Sequence, residues 1–324
     1  LHFLIDGYNL AYRSALVNTE LANSQGEPSG MVFGFLRTLN TLKKRFSDYK
    51  FVVVWDERPQ WKYDLFPKYK DGRASSLPDL IRSEKRGDGY QMRALKAALR
   101  VLDVDQCSAE GEEADDGIAT LSQLYKRDGL VYVYTNDKDM LALVENNRVV
   151  VMRPKVGMTP EKMFSEEDVE KKFGVRPSQL IEFRSFDGDA SDALPGVPKV
   201  PRKIIRSLLE KYGTVEGVYL NLPKENLTKF QKNAMLVSEV QVSINKKIMS
   251  LNDSLENLEF VRGVRSEESC EESESENRLA RILDYYNLRS LKPDKMLRVF
   301  WSQPKVGDPD DAVEIATQTD LFDD

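Results

Sequence analysis

Histidine is almost missing from this chain. His2 is the only one in 324 residues, so imidazole acid–base catalysis and histidine metal sites have next to nothing to work with. Cysteine is scarce as well. Cys107 and Cys270 stand far apart without a CxxC, which argues against a disulfide framework or a thiolate zinc site and fits a reducing compartment, the cytoplasm. No apolar run approaches the roughly 20 residues of a membrane helix. No signal-peptide pattern opens the sequence, and the first residue, Leu1, implies that an initiator methionine or short leader precedes it.

Charge, by contrast, is plentiful. Asp, Glu, Lys and Arg make up 31% of the residues, against the usual quarter or so. The 41% hydrophobic content still allows a real core, in one large domain or two smaller ones. A net charge of −6 seems unsuited to nucleic acid, but it is unevenly spread. Residues 266–276 hold six acids and no base, and residues 307–324 hold seven and no base. Without those thirteen the remainder carries +7, and residues 58–100 alone hold eleven Lys or Arg against five acids. The overall charge hides a basic segment of the kind that meets phosphate.

The apolar pattern is that of an α/β protein. LHFLID (1–6), FVVVWD (51–56), GLVYVYTND (129–137) and NRVVVM (147–152) are short β-branched and aromatic runs, as expected of buried parallel strands. Helical spacing covers 30–46, 90–102 and 114–127. From about 160 the texture becomes helical: a capping box of Ser165 with Asp168 or Glu167, Pro177 at the start of a helix, and Gly213 closing one. The reading is a catalytic core over 1–158 with an excursion about 60–90, and a helical subdomain over 159–265. A disordered acidic loop (266–276), a packing segment (277–303) and a flexible acidic tail (304–324) complete it.

Three strands end in aspartate, Asp6, Asp56 and Asp137, with Asp139 close behind. In doubly wound sheets ligands sit beyond the carboxyl ends of the strands. EGEEADDGIA (110–119) adds Glu113, Asp115 and Asp116 at a helix start, and FDGDASDALPG (186–196) adds Asp189 and Asp192. Each cluster alone has an ordinary explanation in helix-dipole or turn chemistry. Their convergence on one end of one sheet has not, because like charges so close disfavour ionisation unless something positive compensates them. An all-oxygen donor set points to hard divalent cations, Mg²⁺ or Mn²⁺. Two such ions suit phosphodiester hydrolysis.

LIDGYNLAYR (4–13), YKDGR (69–73), GEEADDGIA (111–119), TNDKDMLAL (135–143) and GDASDALPGV (188–197) resemble, in order and spacing, the 5′-nuclease family. That family includes the 5′→3′ exonuclease domain of DNA polymerase I, the bacteriophage 5′-exonucleases and the flap endonucleases. The resemblance covers roughly residues 1–260 and implies a PIN-like (Rossmann-like) core, a helical arch and a helix–hairpin–helix-type subdomain. It places Asp6, Asp56, Glu113, Asp115 and Asp116 around a first metal ion, and Asp137, Asp139, Asp189 and Asp192 around a second. Lys70 and Arg73 match the family's YKxxR. On one helix face they would hold the scissile phosphate. Lys62, Lys68, Arg82, Lys85 and Arg86 would line a passage for single strand, and Tyr69 could stack a base or pack in the core. With no polymerase domain in the sequence, the expectation is a stand-alone monomeric enzyme of a bacterial or phage-infected cell.

One departure stands out. The family's Pro-Gly-Val-x-Gly-Ile-Gly hairpin, which holds duplex phosphate and a K⁺ ion, reads LPGVPKVPRKI here (194–204). Gly196 is kept, but Pro198 and Pro201 supply no amide donors. Lys199, Arg202 and Lys203 are expected to contact phosphate by charge instead, with a steeper salt dependence. At the other end, Gln318, Leu321 and Phe322 in QTDLF resemble the bacterial sliding-clamp-binding motif. The function expected is a Mg²⁺-dependent 5′-flap endonuclease and 5′→3′ exonuclease on DNA, with Mn²⁺ as a substitute ion and RNA·DNA hybrid as a further substrate. Its rivals are an RNase H-like or PIN-type ribonuclease and a catalytically silent junction-binding protein.

Overall fold

Strand β1 (His2–Asp6) is apolar on both sides: Phe3 and Ile5 enter one core, Leu4 the other, and none is exposed. That is the pattern of a central parallel strand covered on both faces. It passes directly into α1 (Gly7–Val17), followed by α2 (Gly30–Arg45) and β2 (Lys50–Val54). Then come α3 (Gln60–Leu65), α4 (Tyr90–Val101), β3 (Asp105–Ala109), α5 (Ala114–Tyr125), β4 (Val131–Tyr134) and β5 (Val149–Arg153). The computed structural model describes residues 1–71, 89–155, 157–266 and 271–302.

Two edge strands, β6 (Lys162–Phe164) and β7 (Leu258–Val261), complete a seven-stranded sheet in the order β6-β5-β4-β1-β2-β3-β7. β1 to β5 run parallel and the two edges antiparallel. The chain leaves β1 for β2 on one side and returns to β4 on the other. The carboxyl end of β1 is therefore the switch point at which such sheets open a crevice.

Five helices follow β6: α6 (Glu166–Phe173), α7 (Leu180–Asp187), α8 (Arg202–Tyr212), α9 (Val215–Asn221) and α10 (Lys229–Met249). With α5 they share one core with the sheet, through Ile118, Phe183, Leu209 and Met235. The other face is covered by α1, α2 and α4 and by α11 (Glu272–Tyr285) and α12 (Pro293–Trp301), through Phe35, Met92, Leu279 and Phe300. The Ser165 capping box forms, with Asp168 reciprocating. Among the described residues no helix is long and apolar enough to cross a membrane.

The α/β architecture is the expected one, with three corrections. Strand β3, DQCSA, lacks an apolar run and escaped a pattern-based reading; Asp105 lies in it because Lys50 and Arg262 neutralise its carboxylate at 2.9 and 2.6 Å. β6 and β7 fall inside the expected helical subdomain, 159–265, yet pair with the sheet, so the boundaries drawn at 158 and 265 cut through it. The expected acidic loop ends early: α11 begins at Glu272, with Glu272 and Glu274 in its first turn, where the helix dipole favours carboxylates. Of the expected arch, α3 and a turn through residue 71 are described; residues 72–88 lie outside the described residues.

Candidate active site

The carboxylates are set by the ends of strands and starts of helices. Asp6 caps α1: its Oδ1 accepts from the Asn9 amide at 3.1 Å and its Oδ2 from the Thr135 hydroxyl at 2.8 Å. The Asp56 Oδ1 accepts from the Ala114 amide at 2.8 Å, tying the end of β2 to the first turn of α5. Glu113 is the N-cap position of α5, and Asp115 and Asp116 lie in its first turn. Beyond β4, the Thr135 hydroxyl accepts from the Asp137 amide, and Asp137 Oδ1 from the Asp139 amide. In the loop after α7, Asp189 Oδ1 accepts from the Ser191 amide and hydroxyl at 2.8 and 2.6 Å. The Lys70 amide donates to the Asp192 carbonyl at 3.1 Å, joining that loop to the turn after α3.

These acids divide into two electrostatic groups. Asp6 is pushed up to about 7 by burial and by neighbouring Asp56 and Asp137. Burial also raises Asp56. Asp115 lies well above the usual range through burial, then Asp137, Asp6, Glu113 and Asp56. Asp139 rises to about 7 from burial and Asp137. Asp6, Asp56 and Asp115 have too little positive charge around them, whereas Asp139 stays raised despite its pairing with Arg184.

The second group is served by the protein's own cations. Burial alone would raise Glu113, but Lys70 and Lys62 outweigh it and hold the carboxyl at about 2. Lys62 reaches it at 2.8 Å and Tyr69 donates at 2.9 Å, while Lys70 pairs with its other oxygen. Asp116 accepts from the Asn252 amide at 2.8 Å and lies 3.5 Å from Lys62. Arg184 pairs with both Asp139 and Asp189. Asp189 stays below its ordinary value despite burial, held by Ser191 and Arg184.

Among the described residues, ion pairs bring three cations, Lys62, Lys70 and Arg184, to these nine carboxylates. Among the described residues no three of the acids already close around an ion, because Glu113, Asp139 and Asp189 are drawn to those cations instead. The donor set nevertheless fits hard divalent ions: it is all oxygen, with Asp6, Glu113 and Asp116 buried and the other six acids half-buried. Asp6, Asp56, Asp115 and Asp137 form the part in which added positive charge would be most favourable. The cleft they open into has an apolar wall of Ile248, Met249 and Leu251.

This imbalance predicts an unusual pH response. A carboxyl whose folded pKa exceeds its unfolded value stabilises the fold below the unfolded pKa and loses that contribution as pH rises through the folded one. For Asp6 and Asp139 the window runs from 3.8 to about 7. In EDTA the melting temperature should fall between pH 5 and pH 8, and Mg²⁺ should raise it more at pH 8 than at pH 5. Scanning calorimetry at both pH values checks this; equal Mg²⁺ shifts would contradict it.

Several expected roles change. Lys62, expected to line a passage, is 3% exposed and neutralises Glu113 and Asp116. Tyr69 is 4% exposed with its hydroxyl on Glu113, so its ring packs in a small core and cannot stack a base. Lys70 is not on a helix face: α3 ends at Leu65 and Lys70 has φ +55° in a turn. Lys68 is exposed. Arg73, Arg82, Lys85 and Arg86, and the tail residues Gln318, Leu321 and Phe322, lie outside the described residues.

In the hairpin between α7 and α8, a Cβ on Gly196 would run into the Asp187 carbonyl, which explains its glycine. Arg202 is held by Asp187 at 2.6 and 2.8 Å. Lys199 lies over the Phe230 ring, and Lys203 is exposed in the first turn of α8. Arg184 was overlooked in sequence. A lone arginine in the apolar LIEFRSF, five residues before Asp189, was the available signal.

Comparison with known proteins agrees with this geometry. Residues 1–174 match the family described as 5'-3' exonuclease, N-terminal resolvase-like domain, and residues 175–294 match 5'-3' exonuclease, C-terminal SAM fold. The boundary at 174 keeps β6 with the sheet. A 5'-3' exonuclease of Buchnera aphidicola subsp. Acyrthosiphon pisum is 31% identical over 247 residues, 75% of this chain and 81% of that protein. One from Aquifex aeolicus is 31% identical over 256 residues, 78% and 82% of the two chains. The thermostable DNA polymerase I of Thermus thermophilus is 34% identical over 224 residues, 68% of this chain but 25% of the polymerase. Among solved structures, the bacteriophage T5 D15 protein crystallised with metal ions superposes with TM-score 0.63 at 17% identity, covering 92% of this chain and 98% of that one. The catalytic core of Rad2 in complex with DNA substrate gives 0.55 at 16% identity, over 93% and 92%. At these identities the structural matches establish the fold.

Proposed function

The chain belongs to the 5′-3′ exonuclease family and is a nuclease, and on that footing we propose that it hydrolyses DNA at 5′ ends and 5′-flap junctions using two Mg²⁺ ions, with Mn²⁺ as a substitute. The observation that carries this reading is the group Asp6, Asp56 and Asp115 at the sheet's switch point, whose carboxyls are raised by burial and by neighbouring acids, Asp137 among them. Asp6, Asp56, Glu113, Asp115 and Asp116 would hold one ion, and Asp137, Asp139, Asp189 and Asp192 the other. Divalent ions, when bound, supply Lewis acidity and a nucleophilic water at neutral pH.

The chain's own side chains do the rest. Lys62 and Tyr69 fix Glu113 in place. Lys70, half-buried and lining the cleft, would exchange Glu113 for an oxygen of the scissile phosphate, with Arg73 as its partner. The apolar wall at Ile248, Met249 and Leu251 limits water. Gly196 allows the tight hairpin from which Lys199, Arg202 and Lys203 would meet duplex phosphate, with a K⁺ ion there a weaker expectation because of the prolines. RNA·DNA hybrid is a second substrate on this reading, the enzyme is a cytoplasmic monomer, and Gln318, Leu321 and Phe322 attach a sliding clamp.

A 5′-labelled DNA flap tests both halves. Incision near the junction should need Mg²⁺, stop in EDTA and be outcompeted poorly by RNA. A clamp should stimulate the full chain but not a chain ending at residue 316. Binding without incision in Mg²⁺ or Mn²⁺ would overturn the enzymatic reading, and equal stimulation of both chains would remove the clamp.

A further inference from the structure

A second cavity, of about 520 Å³, is lined by residues at the ends of β5 and β6, on the β4 side of β1, whereas Lys62 and Lys70 follow β2 on its other side. Arg153 ends β5 and is paired in register with Lys162, which begins β6. Both therefore stand at the edge of the sheet from which the carboxylates project. Arg153, Lys162, Lys171 and Lys172 line the cavity with a single carboxylate, Asp168. That carboxylate is already committed to Lys162 at 2.6 Å and to the Ser165 amide and hydroxyl. Lys171 is matched by Glu167 at 2.7 Å.

Arg153 feels the Asp137 carboxylate through space, and Lys172 is surrounded by cations. Among the described residues neither forms an ion pair. The Arg153 guanidinium donates to the neutral Asn136 amide oxygen at 2.6 and 3.2 Å. The Lys172 ammonium lies over the Phe164 and Phe173 rings. Burial lowers its pKa, and nearby Arg153, Lys138 and Lys162 lower it further. This is an excess of positive charge, the mirror image of the carboxylate cluster. The two are linked: Asn136 directly precedes Asp137, and its amide donates to Asn9, whose own amide caps Asp6.

We infer that this cavity holds a phosphate group of the substrate strand, with Arg153 and Lys172 as its ligands; the inference rests on the nuclease reading above. A strand crossing the carboxyl ends of the sheet meets repulsion from the carboxylates. Cations on both flanks, Lys70 on one and Arg153 with Lys172 on the other, would hold it across that gap. Arg offers a planar fork to the phosphate and Lys a point charge.

The test is binding of a fluorescent 5′-flap DNA to the full chain in EDTA, across a KCl series. Arg153→Gln/Lys172→Gln is compared with Arg281→Gln/Lys295→Gln, which removes the same charge from exposed positions on α11 and α12. Each phosphate contact contributes roughly 0.7–0.9 to the slope of log affinity against log salt. The cavity variant should lose about 0.7–0.9 from that slope and bind about tenfold more weakly, and the control should lose far less. Lys172→Gln alone, at an exposed position, should lose about half as much and guards against misfolding. Slopes equal to the control's would overturn the inference. Calorimetric binding of deoxyadenosine monophosphate that the variant loses, with an unchanged DNA slope, would also overturn it and assign the cavity to free monophosphate. If the unmodified chain cuts the flap in Mg²⁺ while the slopes agree, only this inference falls; if it neither binds nor cuts, the nuclease reading falls with it.

Discussion

Replacing Asp115 by asparagine should make the metal-free protein harder to unfold and almost unable to cut DNA. Asp115 is the acid most opposed by its surroundings: burial, then Asp137, Asp6, Glu113 and Asp56, all raise its pKa. Asparagine has nearly the same shape and no charge to desolvate, so in EDTA at pH 8 the variant should melt a few degrees higher, each kcal/mol being worth roughly 2–4 °C in a chain of this size. The same change removes a ligand oxygen charge from the cluster proposed to hold the ions. Several kcal/mol of transition-state stabilisation depend on it, which amounts to a loss on the order of 10³-fold in rate. Calorimetry in EDTA and single-turnover flap incision in Mg²⁺ read the two effects separately. A variant that is less stable without metal would show that the cluster is not electrostatically overloaded. One that retains near-normal incision would remove Asp115 from the metal site.

Lys62→Met should have the opposite sign on stability. The Lys62 ammonium is enclosed between Glu113 and Asp116, with side-chain exposures of 4%, 7% and 3%. Its removal leaves Asp116 without a cation and Glu113 with Lys70 alone, at a cost of about 3 kcal/mol, the lower end for a broken buried pair. Urea unfolding at pH 7 should register that loss, and Lys62→Met/Glu113→Gln should recover part of it because one of the abandoned charges is gone as well. The pH dependence has a definite direction. Glu113 is depressed from 4.5 to about 2, so its contribution is present above 4.5 and lost as pH falls towards 2. The gap between the unmodified protein and Lys62→Met should therefore narrow in acid. A gap that stays constant from pH 7 to pH 2.5 would show that Lys62 stabilises by packing its aliphatic stem and not by charge.

These two substitutions mark the line between local and long-range information. Four of the sheet's strands were readable because FLI, FVVV, VYVY and VVVM are apolar on both faces, a property of each segment alone. The strand-end aspartates were readable for the same reason. β3 was not, since DQCSA is tolerated only where Lys50 and Arg262 meet Asp105 and where Gln106 bonds Trp55 and the Lys96 carbonyl. Lys62 was read as a strand contact, and Tyr69 as either a base stacker or a core residue, because both sit in a basic segment. The fold turns both inward because buried Glu113 requires counter-charge and a donor. The chemistry available to this chain, carboxylate oxygens without histidine or paired thiols, follows from composition and spacing, which are local. Which acids remain free to attract metal is a matter of pairing: Lys62 and Lys70 reach Glu113, and Arg184 reaches Asp139, across 43 to 51 positions. Contacts over that separation exist only once the sheet has brought its carboxyl ends together.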